Sequence, residues 1–175
     1  MQNEKTFLTL GLGIEWKKVY SISISNTSVF FSDLEEAKNK NANDENSDLF
    51  SILGQLESFR TCSGNFHFKL CYPELADKYS SPCNEWTQFN NPVVDSIIRD
   101  YKPVKITFQE DKFQGLGMSE RGKGNNLIDH KPFDKSWWFS VGTIKGDGDK
   151  VAGPDPVLVE NIVLFVNPGE ALFAK

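Results

Sequence analysis

The segment Asn84-Glu85-Trp86-Thr87-Gln88-Phe89-Asn90-Asn91 sets one indole among carboxamides, a hydroxyl and a carboxylate. A saccharide site uses those groups. The indole faces the apolar C–H side of a pyranose, and planar amides and carboxylates bind its hydroxyls. A second aromatic segment, Trp137-Trp138-Phe139-Ser140-Val141, alternates like a strand. If Trp137, Phe139 and Val141 face the core, Trp138 must point outward. Trp86, Trp138, Asn84, Glu85 and Gln88 are therefore the candidate ligand-binding residues. The competing reading is core or rim packing, the commoner fate of tryptophan in a β-rich protein, and it weighs most on Trp86.

Asp147 and Asp149 sit between glycines in Lys145-Gly146-Asp147-Gly148-Asp149-Lys150, with Asp155 close behind. Calcium takes six to eight oxygens, often carboxylates and carbonyls on a tight turn. These three aspartates form a candidate calcium site, although the EF-hand pattern is absent. A solvated hairpin turn explains the same residues. The glycine-rich stretch 115–124 fits neither nucleotide motif. Its spacing is GxGxxxxG, and in GMSERGK the following Gly124 stands where a phosphate loop needs a hydroxyl residue. It reads as a flexible loop.

Nucleophilic catalysis finds little support. His67 and Cys71 lie four residues apart on one expected strand, about 13 Å at the usual rise, too far to pair directly. His67 and His130 both read as surface histidines. Two carboxylates for glycoside hydrolysis would be a tertiary property that no local motif announces. Asn26-Thr27-Ser28 is a formal glycosylation acceptor, relevant only to a secreted chain.

The three cysteines, Cys62, Cys71 and Cys83, fall within 22 residues. No CxxC pair exists and there are only two histidines, so zinc is poorly served. Either Cys71 and Cys83 form a disulfide across the loop 72–82, leaving Cys62 free, or all three are thiols.

With 175 residues the chain suits one domain, 1–175. Its 39% hydrophobic and 25% charged residues are those of a folded globular protein. A net charge of -5 gives no reason to expect nucleic acid, which calls for a clustered basic surface. Apolar runs such as Ile162–Val166 are far short of a membrane span, so no spanning segment is expected. Residues 1–14 lack the basic start and unbroken apolar stretch of a secretory signal, so none is expected there.

The elements that would hold these residues are mostly strands. Tyr20, Ile22 and Ile24 alternate with serines, and Val29-Phe30-Phe31 makes a short second run. Phe66, Phe68, Leu70 and Tyr72 alternate with His67, Lys69 and Cys71, the clearest pattern in the chain. Val104, Ile106 and Phe108 repeat it, as do Trp137, Phe139 and Val141. Val157–Val166 is apolar on both parities apart from Glu160 and Asn161, as expected of an inner strand. Proline and glycine bound these runs. One helix is expected over Asp48–Glu57, capped by Ser47 or Asp48, with Leu49, Ile52, Leu53 and Leu56 on one face. The polar stretch 35–46 reads as a solvated, mobile loop.

Four stretches together, Phe66–Leu75, Cys83–Val93, Gly115–Gly117 and Trp137–Gly142, resemble a β-rich module of invertebrate extracellular proteins found beside discoidin-like and other adhesion domains. The resemblance spans about Phe66–Gly142 and implies an extracellular, adhesive, non-enzymatic context. It carries no ligand or catalytic residue with it.

The expected fold is all-β, an antiparallel sandwich of jelly-roll or galactose-binding-like type with one short helix. The expected function is lectin-like recognition of a glycan or glycoprotein. The alternatives are a structural protein, self-assembling into a homo-oligomer through an aromatic face, and a polysaccharide hydrolase.

Overall fold

A computed structural model describes residues 15–23, 31, 34–118, 127–129, 142–143, 151–154 and 157–169. The strands are β1 (Lys17–Ser23), β2 (Leu49–Ser51), β3 (Phe66–Cys71), β4 (Cys83–Gln88), β5 (Lys102–Ile106), β6 (Ile128–Asp129), β7 (Gly142–Thr143), β8 (Val151–Ala152), β9 (Leu158–Val159) and β10 (Asn161–Val166). One short helix, α1, covers Leu34–Lys38. Six strands form one sheet in the order β2-β1-β10-β3-β4-β5, and every pairing in it is antiparallel. β6 pairs with β7 and β8 with β9 in two small ladders.

One face of the sheet is buried from β1 to β4; the other is covered at the β1–β2 end, where Ser21 and Phe50 are buried, and exposed only at β5. Tyr20 and Ile22 of β1, Ile162, Leu164 and Val166 of β10, Phe66, Phe68 and Leu70 of β3, and Trp86 of β4 all point into the first face. Strict alternation in β3 and β10 produces this face, since successive side chains point to opposite sides. The aromatic rings interlock: Phe68 lies 5.5 Å from Trp86, and Trp86 meets Phe113 edge-on at 4.8 Å. Such pairs contribute roughly 0.5–1.5 kcal/mol beyond their burial.

Several expectations need correction. The stretch 48–57 is not an α-helix. Leu49–Ser51 pairs with β1, and a 3-10 segment runs over Leu53–Phe59. Leu49, Ile52, Leu53 and Leu56 are all buried, as the helical spacing required. Three-residue spacing also serves a 3-10 turn, which stacks Leu53 over Leu56. The expected side-chain cap is absent; Ile52 takes that position without one.

The polar stretch 35–46 begins inside α1. Lys38 pairs with Glu35 at 3.0 Å and Lys40 pairs with Glu36. Backbone bonds then tie Lys40 to Ser51. β5 does not bury Val104, which is 55% exposed. It is an edge strand carrying Pro103, the position where a missing ladder donor is tolerated. The expected inner strand 157–166 is split at Glu160 into β9 and β10, and β10 is apolar-buried on one parity only. Residues 24, 29–30 and 137–141 lie outside the described residues.

Among the described residues the buried hydroxyls of Tyr20 and Tyr72 have no hydrogen-bond partner. Burial pushes both phenols above their ordinary pKa. A buried hydroxyl without a partner costs stability. Tyr20→Phe and Tyr72→Phe are therefore each expected to stabilise the fold by about 1 kcal/mol. Urea unfolding checks this, and a loss of stability in both variants would contradict it.

Candidate functional site

β4 alternates Asn84, Trp86 and Gln88 against Glu85 and Thr87, and the two sets have opposite fates. The first set faces the core and is fully buried. Asn84 Oδ1 accepts from the backbone N–H groups of Thr107 and Phe108, and its Nδ2 donates to the Phe108 carbonyl at 3.0 Å. Trp86 Nε1 donates to Gln88 Oε1 at 2.7 Å. That same oxygen accepts from Leu116 N at 3.0 Å, while Gln88 Nε2 donates to the carbonyls of Leu116 and Asn90. The carboxamides expected to bind sugar hydroxyls thus bind the chain's own backbone. Trp86, Asn84 and Gln88 are corrected from ligand-binding to core residues. The reason is parity: β4 turns all three to the buried face, where Trp86 packs against Phe68 and Phe113.

Glu85, the remaining expected residue of this segment, points to the opposite face. There it meets His67, whose Nε2 lies 2.8 Å from Glu85 Oε1. The imidazole is the donor when Glu85 is a carboxylate. His67 is thus a half-buried, carboxylate-paired group rather than an isolated surface histidine. Its ring meets the edge of Trp16 at 4.9 Å, and Lys69 Nζ stands 5.2 Å from the Trp16 ring centroid. Trp16 is only partly buried. The sheet therefore presents an indole, an imidazole–carboxylate pair and an ammonium side by side.

Register explains how they meet. β3 pairs with β4 so that His67 lies opposite Thr87, Lys69 opposite Glu85, and Cys71 opposite Cys83. Directly opposed residues share a face of the sheet. The last of these pairs is a disulfide, Cys71–Cys83, which closes one end of this face. Cys62 is free and exposed.

Sequence reasoning missed Trp16 and Lys69. Lys69 and His67 share a parity on the clearest strand, which signals a common face. Their meeting with Glu85 needs the β3–β4 register, and Trp16 is more than fifty residues distant. The remaining candidates, Trp138 and the aspartates Asp147, Asp149 and Asp155, lie outside the described residues. Among the described residues no group of three or more His, Cys, Asp or Glu side chains is placed to hold a metal ion. No described helix is long and apolar enough to cross a membrane.

The comparisons with known proteins add no relative: no family model matches this chain, and no curated protein or solved structure matches it significantly.

Proposed function

We propose that this chain is a non-enzymatic, lectin-like module that binds a saccharide on the open face of its sheet. The observation that carries the reading is the partly buried Trp16 indole beside the His67–Glu85 pair. The indole supplies a platform for the C–H face of a pyranose, and the imidazole and carboxylate supply partners for its hydroxyls. A sheet holds those groups on a rigid backbone, which lowers the ordering cost of binding. The expected jelly-roll or galactose-binding-like sandwich belongs to this proposal, with the β6–β7 and β8–β9 ladders as parts of a second layer. An extracellular setting belongs to it too, supported by the Cys71–Cys83 bridge, since disulfides persist in oxidising compartments.

A glycan array on the purified chain tests the reading. We expect binding of at least one glycan class, and Trp16→Ala should weaken it about tenfold, the equivalent of roughly 1.4 kcal/mol. An unchanged thermal transition in Trp16→Ala would show that the loss is local. Absence of binding to every glycan, or undiminished binding by the variant, would refute the proposal.

A further inference from the structure

The open face carries a row of residues that crosses five strands. Lys18 of β1 lies opposite Phe165 of β10, Phe165 opposite Lys69 of β3, Lys69 opposite Glu85 of β4, and Glu85 opposite Lys105 of β5. Lysines therefore recur on every second strand, about 10 Å apart at the usual strand spacing. A neighbouring row adds Lys102, opposite Thr87, which itself lies opposite His67.

Lys102 and Lys105 are three residues apart, an odd interval that would put them on opposite faces of a regular strand. The register shift between Glu85 and Trp86 removes that conflict. One extra residue in β5 re-aims the strand, as bulges do, and both lysines come to lie opposite open-face residues of β4. Both are exposed, and neither takes part in an ion pair among the described residues. Lys69 stands over the Trp16 ring rather than against an acid. Lys18 donates to the backbone carbonyl of Glu45, whose carboxylate is taken by Lys17. Glu85 is the one acid in the row and is engaged by His67. A chain of net charge -5 thus gathers four lysines on a single sheet face.

We infer that the saccharide of the preceding proposal is an anionic polysaccharide, sulfated or uronate-bearing, lying across the strands along the row Lys18–Phe165–Lys69–Glu85–Lys105. The inference rests on that proposal. One pyranose is about as long as one strand spacing of roughly 4.8 Å, so charges on alternate sugars meet lysines on alternate strands. Phe165 and Trp16 then offer apolar surface between the charges. Attraction to a field of this kind raises association and weakens with salt.

The test compares a heparin oligosaccharide, an oligogalacturonate and a neutral glucan oligosaccharide at low and physiological salt, using the full chain. Both anionic ligands are expected to bind at least tenfold more tightly than the neutral one, with the preference shrinking as salt rises. The double variant Lys102→Gln, Lys105→Gln, both exposed and outside the Trp16 contact, is expected to lose roughly two- to fivefold in anionic affinity per lysine. Its binding to the neutral glucan should fall by less than its binding to either anionic ligand. Equal binding of neutral and anionic ligands, untouched by the double variant, would overturn this inference and leave the saccharide proposal standing. Equal affinity for duplex DNA would reassign the face to polyanions in general and overturn it as well. Failure of all three saccharides to bind would remove the proposal beneath it.

Discussion

Gln88→Leu is expected to destabilise the fold by about 4 kcal/mol, as buried donors and acceptors left unpaired cost roughly 1–3 kcal/mol each. The substitution keeps the volume but deletes four hydrogen bonds. Trp86 Nε1–H and Leu116 N–H lose a shared acceptor, and the carbonyls of Leu116 and Asn90 lose a donor. Of these, the Leu116 carbonyl keeps a bond from Asn90 Nδ2 at 3.2 Å, which limits the loss there. No water reaches the site easily, because Trp86, Gln88 and Leu116 are fully buried.

Gly115 shows how closely the segment packs on Gln88. It has φ +90, and a Cβ there would come within 2.7 Å of Gln88 Oε1. Denaturant unfolding of Gln88→Leu with an unchanged m-value measures the loss. A decrease below about 1 kcal/mol would mean that the network contributes little, within the ordinary range of a single exposed bond.

That network also shows why chemistry-bearing residue types were legible in the sequence while their use was not. Asn84, Trp86 and Gln88 have the composition of a sugar site. A carboxamide, however, satisfies a peptide group as readily as a hydroxyl, so composition alone leaves both uses open. Parity decided between them. Once the Phe66–Phe68–Leu70 face of β3 is taken as core, the Cys83–Gln88 strand must turn Asn84, Trp86 and Gln88 inward or Glu85 and Thr87 inward. The large indole goes to the interior. Glu85 is then released to the other face, where it meets His67 beside the partly buried Trp16.

The strands themselves were easier to read than their partners. Alternation over Phe66–Leu70 is local, and it survives in β3; Tyr20 and Ile22 do lie on a strand, but in β1 Val19 and Ser21 are buried as well, so the expected alternation with serines is lost there. The short apolar cluster Leu49–Leu56 was ambiguous because three- and four-residue spacings serve a helix, a 3-10 turn, and a strand followed by a turn. The open face depends on the pairings that align residues 67, 69, 85 and 105. Those are set by register and by a bulge in an edge strand, neither of which has a local signature.

Replacing Cys71 and Cys83 together by alanine is expected to cost about 3 kcal/mol, the chain-entropy value for a bridge between residues 12 apart. At roughly 2–4 °C per kcal/mol for a chain of this size, the thermal midpoint should fall by about 6–12 °C. The two cysteines are direct register partners at the ends of β3 and β4, so the bridge restrains the loop 72–82 without asking the strands to move. That loop carries Tyr79, whose ring packs edge-on against Phe108 at 4.9 Å, and the 3-10 turn Pro73–Leu75.

Reductant should lower the midpoint of the native chain by the same amount and leave the double variant unmoved. Cys62, exposed and unbridged, serves as an internal control: one thiol per native chain should react with an alkylating reagent before reduction and three after it. Equal stability of oxidised and reduced protein would show that the bridge does not support the fold. The case for an oxidising, extracellular setting would then lose the one structural feature on which it stands.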